Sequence, residues 1–198
     1  MKKLKITSQQ KQIIIGKLLG DGCLETTNGI TYRLKIEHGE KQKDYVSWLY
    51  QEFKDLSPSK PKFKLHKSST RKTYKKYWFN TSYSPSLRFY GQQFYPEGKK
   101  VVPRLIHRWL TPLSFAVWFM DDGSIKSKEC KGKILNTQSF SKEDIKRLQS
   151  AIWNNFQIKT TLRKQKDGIQ IYIPAGEYKK FKRVVQKYIL PSFNYKLG

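Results

Sequence analysis

Two short segments carry the residues that are best suited to chemistry. They are IIIGKLLGDG (residues 13–22) and LSFAVWFMDDG (residues 113–123), and each is an apolar run that ends in an acid followed by glycine. The matching acids are Asp21 and Asp122. A single Asp-Gly after an apolar helix is commonly only a helix end with a glycine cap. Two copies with matching flanks favour a shared functional site instead.

Side-by-side packing of the two segments would bring both acids together. Gly16 and Gly20 lie four residues apart and therefore share one helix face, where they allow a second helix to approach closely. Ala116 is expected on the facing stripe of the second helix. Two adjacent carboxylates repel each other unless cations lie between them, and hard oxygen ligands favour Mg²⁺. Asp121 is a further candidate ligand, although local packing or capping is the stronger expectation for it.

A lysine also belongs to the repeat. Pro96 precedes Lys100 and Pro191 precedes Lys196, and each lysine stands before an aliphatic residue. Bound metal ions can activate a water and clamp a scissile phosphate, while a nearby lysine stabilises the growing negative charge. The acids and lysines together predict a pseudo-twofold centre for phosphodiester hydrolysis, with one cut per strand. For either lysine alone, a solvated surface side chain is the alternative.

The elements that must position these residues repeat as well. The first half shows strand patterns at 31–38, 62–67 and 76–83 and helix patterns at 41–53 and 85–94; the second shows strands at 131–140, 157–165 and 169–173 and helices at 141–154 and 176–190. A polar basic loop at 67–76 has no counterpart. Thr111 and Pro112 read as the start of the second motif helix. We predict an α+β fold of two αββαββα halves, residues 1–110 and 111–198, forming one compact pseudo-dimeric unit.

The composition points to a polyanionic partner. The 198 residues include 40 Lys and Arg against 15 Asp and Glu, a formal net charge of +25, so nucleic acid is the first candidate and an anionic membrane the second. No apolar stretch is long enough to span a bilayer.

Cys23 and Cys130 are far apart, which predicts reduced thiols in an intracellular compartment, and three scattered histidines make a zinc site improbable. The excess of lysine over arginine fits an AT-rich genome, such as that of a mitochondrion or plastid, although bacterial and phage genomes share this bias.

At this point the motifs resemble those of the LAGLIDADG homing endonucleases, in particular the single-chain, two-motif kind encoded in mobile introns. Residues 14–22 align with the first copy of the nine-letter pattern and residues 115–123 with the second. The second copy, ILNTQSF (134–140) and YKL (195–197) are especially similar to a mitochondrial intron-encoded member. The first copy departs from the pattern at Lys17, expected at the surface, and Leu19, expected in the core. Val117 replaces the second copy's glycine and predicts an asymmetric helix pair.

The resemblance implies the site and its partner. Asp21 and Asp122 would be the metal-binding catalytic acids, the Gly20 and Asp121 carbonyls would be further ligands, and Lys100 and Lys196 would be the active-site lysines. Mg²⁺ would be the cofactor, with Mn²⁺ as a substitute. Each half would form a curved, antiparallel four-stranded sheet, and the two sheets would make a saddle on double-stranded DNA. Cleavage would leave short 3′ overhangs and promote intron mobility.

Strand alternation supplies candidate DNA contacts. The outward faces carry many basic and polar residues and almost no acids, which suits phosphates and base edges together. An ordinary solvated sheet face is the alternative for many single residues. The candidates are Arg33, Lys35, Lys62, Lys64, Lys133, Gln138, Lys159, Thr161, Arg163, Gln165, Gln170 and Tyr172.

Rival functions differ in what they require. An intron RNA maturase on the same fold, with its host intron RNA as partner, needs neither acids nor lysines, and some family members do both. A non-cleaving DNA-binding protein should have lost an acid from one motif, and here both are present. A membrane-surface protein needs a cationic helix with exposed apolar residues, whereas the apolar stripe of residues 176–190 fits a core position. We therefore expect a monomeric endonuclease.

Overall fold

The structure is a computed structural model that describes residues 5–67, 73–127 and 129–198. The first half contains α1 (Ser8–Leu19), β1 (Cys23–Thr26), β2 (Tyr32–Gly39), α2 (Lys43–Phe53), β3 (Lys62–Lys67), β4 (Thr73–Asn80) and α3 (Arg88–Phe94). After the short α4 (Ile106–Trp109), the second half contains α5 (Pro112–Asp122), β5 (Gly123–Ile125), β6 (Lys133–Leu135), α6 (Lys142–Phe156), β7 (Thr161–Gln165), β8 (Gly168–Ile173) and α7 (Tyr178–Val185). The predicted αββαββα order of each half is confirmed.

Each half forms a four-stranded antiparallel sheet with the same topology. The strand orders are β1-β2-β4-β3 and β5-β6-β8-β7, so the two halves match strand for strand. In β2, Leu34 and Ile36 are fully buried, whereas Arg33 and Lys35 between them remain partly exposed. This period of two means that one face of the sheet packs on the helices and the other stays open.

The central helices α1 and α5 begin at capped residues, and they are buried on every side from Ile13 to Leu19 and from Leu113 to Asp121. Thr7 accepts a hydrogen bond from the Gln10 backbone and completes a capping box at the start of α1. Thr111 does the same for α5, with Pro112 as the first helical residue, as predicted. A helix that is apolar on every side is expected inside a protein, and these two helices pack together at its centre.

The close approach of α1 and α5 depends on two glycines. A methyl group at Gly16 would lie 2.5 Å from the Ser114 carbonyl oxygen and 2.6 Å from Val117 Cβ. At Gly20 it would lie 2.5 Å from Asp121 Cβ. The predicted glycine face is confirmed, but its nearest neighbours on α5 are these three residues and not Ala116. Small residues of one helix therefore oppose larger residues of the other, as expected from Val117.

Several strand bounds differ from the sequence-based prediction, and three of the differences have a local reason. Strand β7 starts at residue 161, not 157, because Gln157 adopts a left-handed conformation (φ 54°) and caps α6. Strand β6 stops at residue 135, since the Thr137 hydroxyl donates to the Ile169 carbonyl. Strand β4 runs from 73 to 80, because the Thr81 hydroxyl accepts the Leu34 amide. Of the predicted loop at 67–76, residues 68–72 lie outside the described residues.

In the described part of the chain, no helix has the length and apolar character to cross a bilayer.

Candidate active site

Asp21 and Asp122 lie at the same ends of the two central helices. Asp122 is the last residue of α5, and Asp21 follows Gly20, the residue that caps α1. The Asp21 side chain is 49% exposed, and Asp122 is partly buried. The predicted pairing of helix ends therefore leaves one carboxylate open to solvent and the other in a more apolar setting.

The electrostatics of the centre favour a bound cation. Burial, followed by the negative charges of Asp21 and Asp121, raises the pKa of the Asp122 carboxyl from 3.8 to about 7. Removal from water and nearby negative charge both disfavour the ionised form of a carboxyl. A divalent cation would relieve this repulsion, and carboxylate oxygens are the ligands that Mg²⁺ prefers. The donor set at this site therefore fits the predicted metal.

The two lysines of the repeat lie beside the two acids. The Lys100 ammonium donates to the carbonyl oxygens of Gly20 and Gly22, both at 2.8 Å, and these residues flank Asp21. The Lys196 ammonium donates to the carbonyls of Met120 (2.6 Å) and Asp121 (3.3 Å), which precede Asp122. Burial lowers the pKa of both lysines. The solvated-surface alternative is wrong, because each lysine is partly or fully buried against its own motif.

Lys17 is not at the surface, as the sequence predicted, but fully buried. Its ammonium lies 2.8 Å and 2.9 Å from the two carboxylate oxygens of Asp121, which is also fully buried in its side chain. It also lies 2.7 Å from His38 Nε2 and 5.0 Å from the centre of the Tyr45 ring. The ion pair joins the two halves, and it explains why a lysine is tolerated in the core.

The carboxylate of Asp121 is therefore not available as a metal ligand. One of its oxygens forms a cluster with a carboxylate oxygen of Asp21 and a ring nitrogen of His38, and these three atoms lie within 4.8 Å of one another, a spacing that could hold a metal. The Lys17 ammonium already contacts the Asp121 and His38 members of this cluster. Burial and the Lys17 charge lower the pKa of His38 to about 3, so the imidazole is neutral and its Nε2 accepts from Lys17. The stronger expectation for Asp121, that its side chain has a packing role and is not a metal ligand, agrees with this buried ion pair.

The outer face of the first sheet contains Arg33, Lys35, Lys62 and Lys64, as the alternation predicted. The expectation of almost no acids on this face is wrong, because Glu25 lies between Arg33 (2.7 Å) and Lys35 (3.0 Å). Glu37 likewise lies between Lys64 (2.6 Å) and Lys76 (2.9 Å). These paired acids hold the basic side chains in defined positions on the face that stays open.

The outer face of the second sheet follows the prediction for the candidates within β7 and β8, and three other candidates lie elsewhere. Cross-strand pairs place Thr161, Arg163 and Gln165 beside Tyr172 and Gln170 on one face. The exceptions are Lys133, which shares the inner face with Ile173, Lys159, which precedes β7, and Gln138, which follows β6. Lys133 is 1% exposed and its ammonium lies 4.9 Å from the Tyr178 ring centre, so it is removed from the candidate DNA contacts. Gln138 lies in the turn after β6, where its amide is 3.5 Å from Asp167.

Sequence reasoning missed three polar residues at the site. The Asn136 side chain donates to the Asp122 carbonyl at 2.8 Å and accepts from Gln170 at the same distance. Glu37 and His38 line a pocket of about 350 Å³ together with Asp21. Asn136 follows Leu135, the last paired residue of β6, and Glu37 pairs with Trp78 in β2, so the strand register would have revealed both. No comparable sequence signal marks His38.

A second concave surface lies at the opposite end of the central helices. It is a groove of about 910 Å³ whose walls include Lys5, Lys11 and Arg108 and the rings of Phe89 and Trp109. The Phe89 side chain is 49% exposed and packs edge-on against Trp109. Since α1 has 12 residues at about 1.5 Å each, this groove is separated from Asp21 by roughly the length of the helix.

Comparisons with known proteins agree with this geometry. A sequence profile described as the LAGLIDADG DNA endonuclease family matches residues 11–181. The chain is 30% identical to the DNA endonuclease I-ChuI of Chlamydomonas applanata, over 98% of this chain and 97% of that protein. It is 29% identical to the cytochrome b mRNA maturase bI2 of Debaryomyces hansenii, over 98% of this chain and 75% of that protein.

A solved structure matches the whole fold. The homing endonuclease I-WcaI bound to its DNA recognition sequence superposes with a TM-score of 0.93 at 25% sequence identity. The match covers 98% of this chain and 88% of the other.

Proposed function

This chain belongs to the LAGLIDADG DNA endonuclease family, and we propose that it cuts both strands of one long, specific DNA duplex site, using divalent metal ions. The observation that carries the proposal is the duplicated acid and lysine arrangement between two sheets with basic outer faces. Asp21 and Asp122 end paired helices, and Lys100 and Lys196 each bind the backbone that flanks one acid. A non-cleaving relative of this fold would have no use for both pairs.

Each residue of the centre has a proposed role. Asp21 and Asp122 would hold Mg²⁺, or Mn²⁺ in its place, with the Gly20 and Asp121 carbonyl oxygens as further ligands. When bound, the metal would supply an activated water and stabilise the leaving oxygen. Lys100 would place its positive charge beside one scissile phosphate, and Lys196 beside the other, where negative charge develops.

The two sheets would bind the DNA on either side of this centre. Side chains on an open antiparallel face can reach phosphates and major-groove base edges together. Each phosphate neutralised contributes roughly 0.9 to the slope of log affinity against log salt, so binding should be strongly salt-dependent. The proposed contacts are Arg33, Lys35, Lys62, Lys64, Gln138, Lys159, Thr161, Arg163, Gln165, Gln170 and Tyr172. With one half-site per strand, the cuts would be staggered and leave 3′ overhangs that promote intron mobility.

A cleavage selection tests this proposal directly. The purified protein is incubated with a randomised duplex library and Mg²⁺, and newly formed ends are sequenced. Paired breaks at one long motif with a fixed 3′ stagger are expected from the wild type and from Asp55→Asn, an exposed surface control. The same breaks should be absent from Asp122→Asn. Selection of a bound sequence without breaks, in Mg²⁺ or Mn²⁺, would contradict the catalytic role.

Host intron RNA is a second proposed partner, and the groove at the far end of the helices favours it. The exposed Phe89 ring and the partly buried Trp109 ring can stack on unpaired bases, and Lys5, Lys11 and Arg108 can bind the backbone. A maturase is among the relatives, which is consistent with this second function. In a gel-shift assay with the intron RNA, Phe89→Ala should weaken RNA binding but leave DNA cleavage intact. Equal effects on both ligands would contradict a separate RNA surface.

The chain is proposed to act as a monomer, because one chain supplies both half-sites. Its proposed location is a mitochondrion or plastid, on the basis of the lysine excess. Light scattering of the DNA complex should give one protein chain per duplex, and two chains per duplex would contradict the single-chain site.

A further inference from the structure

The two catalytic acids are held in place by different means. Asp122 is the last residue of α5, so its own helix fixes its backbone. Helix α1 ends earlier, at Leu19, and Asp21 lies beyond the Gly20 cap. Its amide donates at 3.0 Å to the carboxylate of Asp121, a side chain from the other half of the chain. The backbone of one acid thus depends on a partner in the opposite motif.

That partner is itself fixed by a buried counter-charge. Lys17 binds both Asp121 oxygens, at 2.8 Å and 2.9 Å, and both side chains have no exposed surface. His38 and the Tyr45 ring contact the same ammonium, which leaves it well compensated. Gly20 provides the room, because a methyl group there would lie 2.5 Å from Asp121 Oδ2.

Among the described residues of the second half there is no equivalent of this arrangement. In the repeat, Trp118 stands where Lys17 stands, and Gly20 stands where Asp121 stands. Trp118 is fully buried and packs against Phe115, so an indole ring and not an ammonium occupies the pseudo-symmetric position. The catalytic acids and lysines therefore follow the pseudo-twofold symmetry, whereas the side chains that hold the acids in place do not.

We propose that Lys17 and Asp121 are positioning residues for Asp21, and that they make the two half-sites unequal. Loss of the Asp121 oxygen that accepts the Asp21 amide should then slow the cutting of one DNA strand far more than the other. This inference rests on the proposed function, in which Asp21 is a catalytic acid.

A matched pair of double variants isolates the hydrogen bond. Lys17→Met/Asp121→Ala and Lys17→Met/Asp121→Asn both remove the buried ion pair as a whole, which avoids leaving one unpaired buried charge. They carry the same charge, and they differ because asparagine retains an oxygen that can accept the Asp21 amide. Cleavage of the selected site is followed with each strand labelled separately.

In the alanine variant, the rate of cutting of one strand should fall about 100-fold, because a small misplacement of a reacting group has a cost of this size. Nicked product should therefore accumulate. The asparagine variant should cut both strands within about threefold of each other. Equal slowing of both strands by the alanine variant, or the same strand ratio in both variants, would overturn the proposal. A purely structural role would slow both strands together.

A second measurement keeps the inference testable whether or not the wild type cuts DNA. Amide hydrogen exchange at Asp21 in the metal-free protein should be at least tenfold faster in the alanine than in the asparagine variant. Equal exchange would overturn the positioning role. An inactive wild type with the expected exchange difference would refute the proposed function alone.

Discussion

Replacement of Asp122 by asparagine should stabilise the metal-free protein at neutral and alkaline pH while abolishing DNA cleavage. The pKa of this carboxyl rises from 3.8 to about 7 in the folded protein, chiefly through burial and then through the charge of Asp21. Between these pH values, the folded state keeps a proton that the unfolded state has released. The free energy of unfolding therefore falls as the pH rises through this window, by about 1.4 kcal/mol per unit. Asparagine cannot ionise, so the variant escapes this loss.

The size of the effect follows from the same pKa. Integrated from pH 5 to pH 8, the wild type loses about 3 kcal/mol of its free energy of unfolding relative to Asp122→Asn. Most of this loss occurs below the folded pKa, because the carboxyl is ionised in both states above it. Urea unfolding in EDTA at several pH values measures this gap, and Asp55→Asn, an exposed acid, is the control. Millimolar Mg²⁺ should stabilise the wild type at pH 8 and reduce the gap. A gap that stays constant from pH 5 to pH 8 would refute the raised pKa and the crowding of the acids that underlies it.

Three further outcomes follow from the geometry. Lys100→Met and Lys196→Met should each lower the single-turnover cleavage rate by about 100-fold with little change in DNA affinity, as measured by rapid quench and gel shift; a loss confined to affinity would contradict their role. Gly20→Ala, whose methyl group would lie 2.5 Å from Asp121, should cost about 1–3 kcal/mol in thermal or urea unfolding, and unchanged stability would contradict this packing. Arg163→Ala should reduce the slope of log affinity against log salt by about 0.9 if it contacts a phosphate, and an unchanged slope would assign it to a base or to solvent.

The repeat and its main chemistry could be predicted from the sequence because they are local signals. Apolar runs of helical spacing, a capping Thr111, and an acid at a fixed place after each run are visible without any tertiary information. The glycine face of α1 was equally visible, since Gly16 and Gly20 are one helical turn apart. Strand alternation also sorted Arg33 and Arg163 correctly, because both lie in regular ladder segments.

The errors arose where tertiary contacts override a local pattern. Lys17 was assigned to the surface because lysine is rarely buried without a partner, but its partner Asp121 lies about a hundred residues away in sequence. Lys133 was assigned to the DNA face because it is basic, yet its ladder pairing with Ile173 turns it toward the inner face. Glu37 was overlooked because an acid in a basic sheet is informative only once its two lysine neighbours are known.

The complementary residues of the two motif helices also bear on why both halves occupy one chain. A pair of first halves would place two Lys17 ammonium groups in the core with no Asp121 to compensate them. A pair of second halves would set Val117 against Val117 and Asp121 against Asp121, where the structure has Gly16 and Gly20 to accommodate these side chains. Neither half can therefore reproduce this interface with a copy of itself, since each would bury like charges or overlapping atoms. The asymmetry that positions Asp21 thus requires two different halves, and a single chain with two diverged copies supplies them.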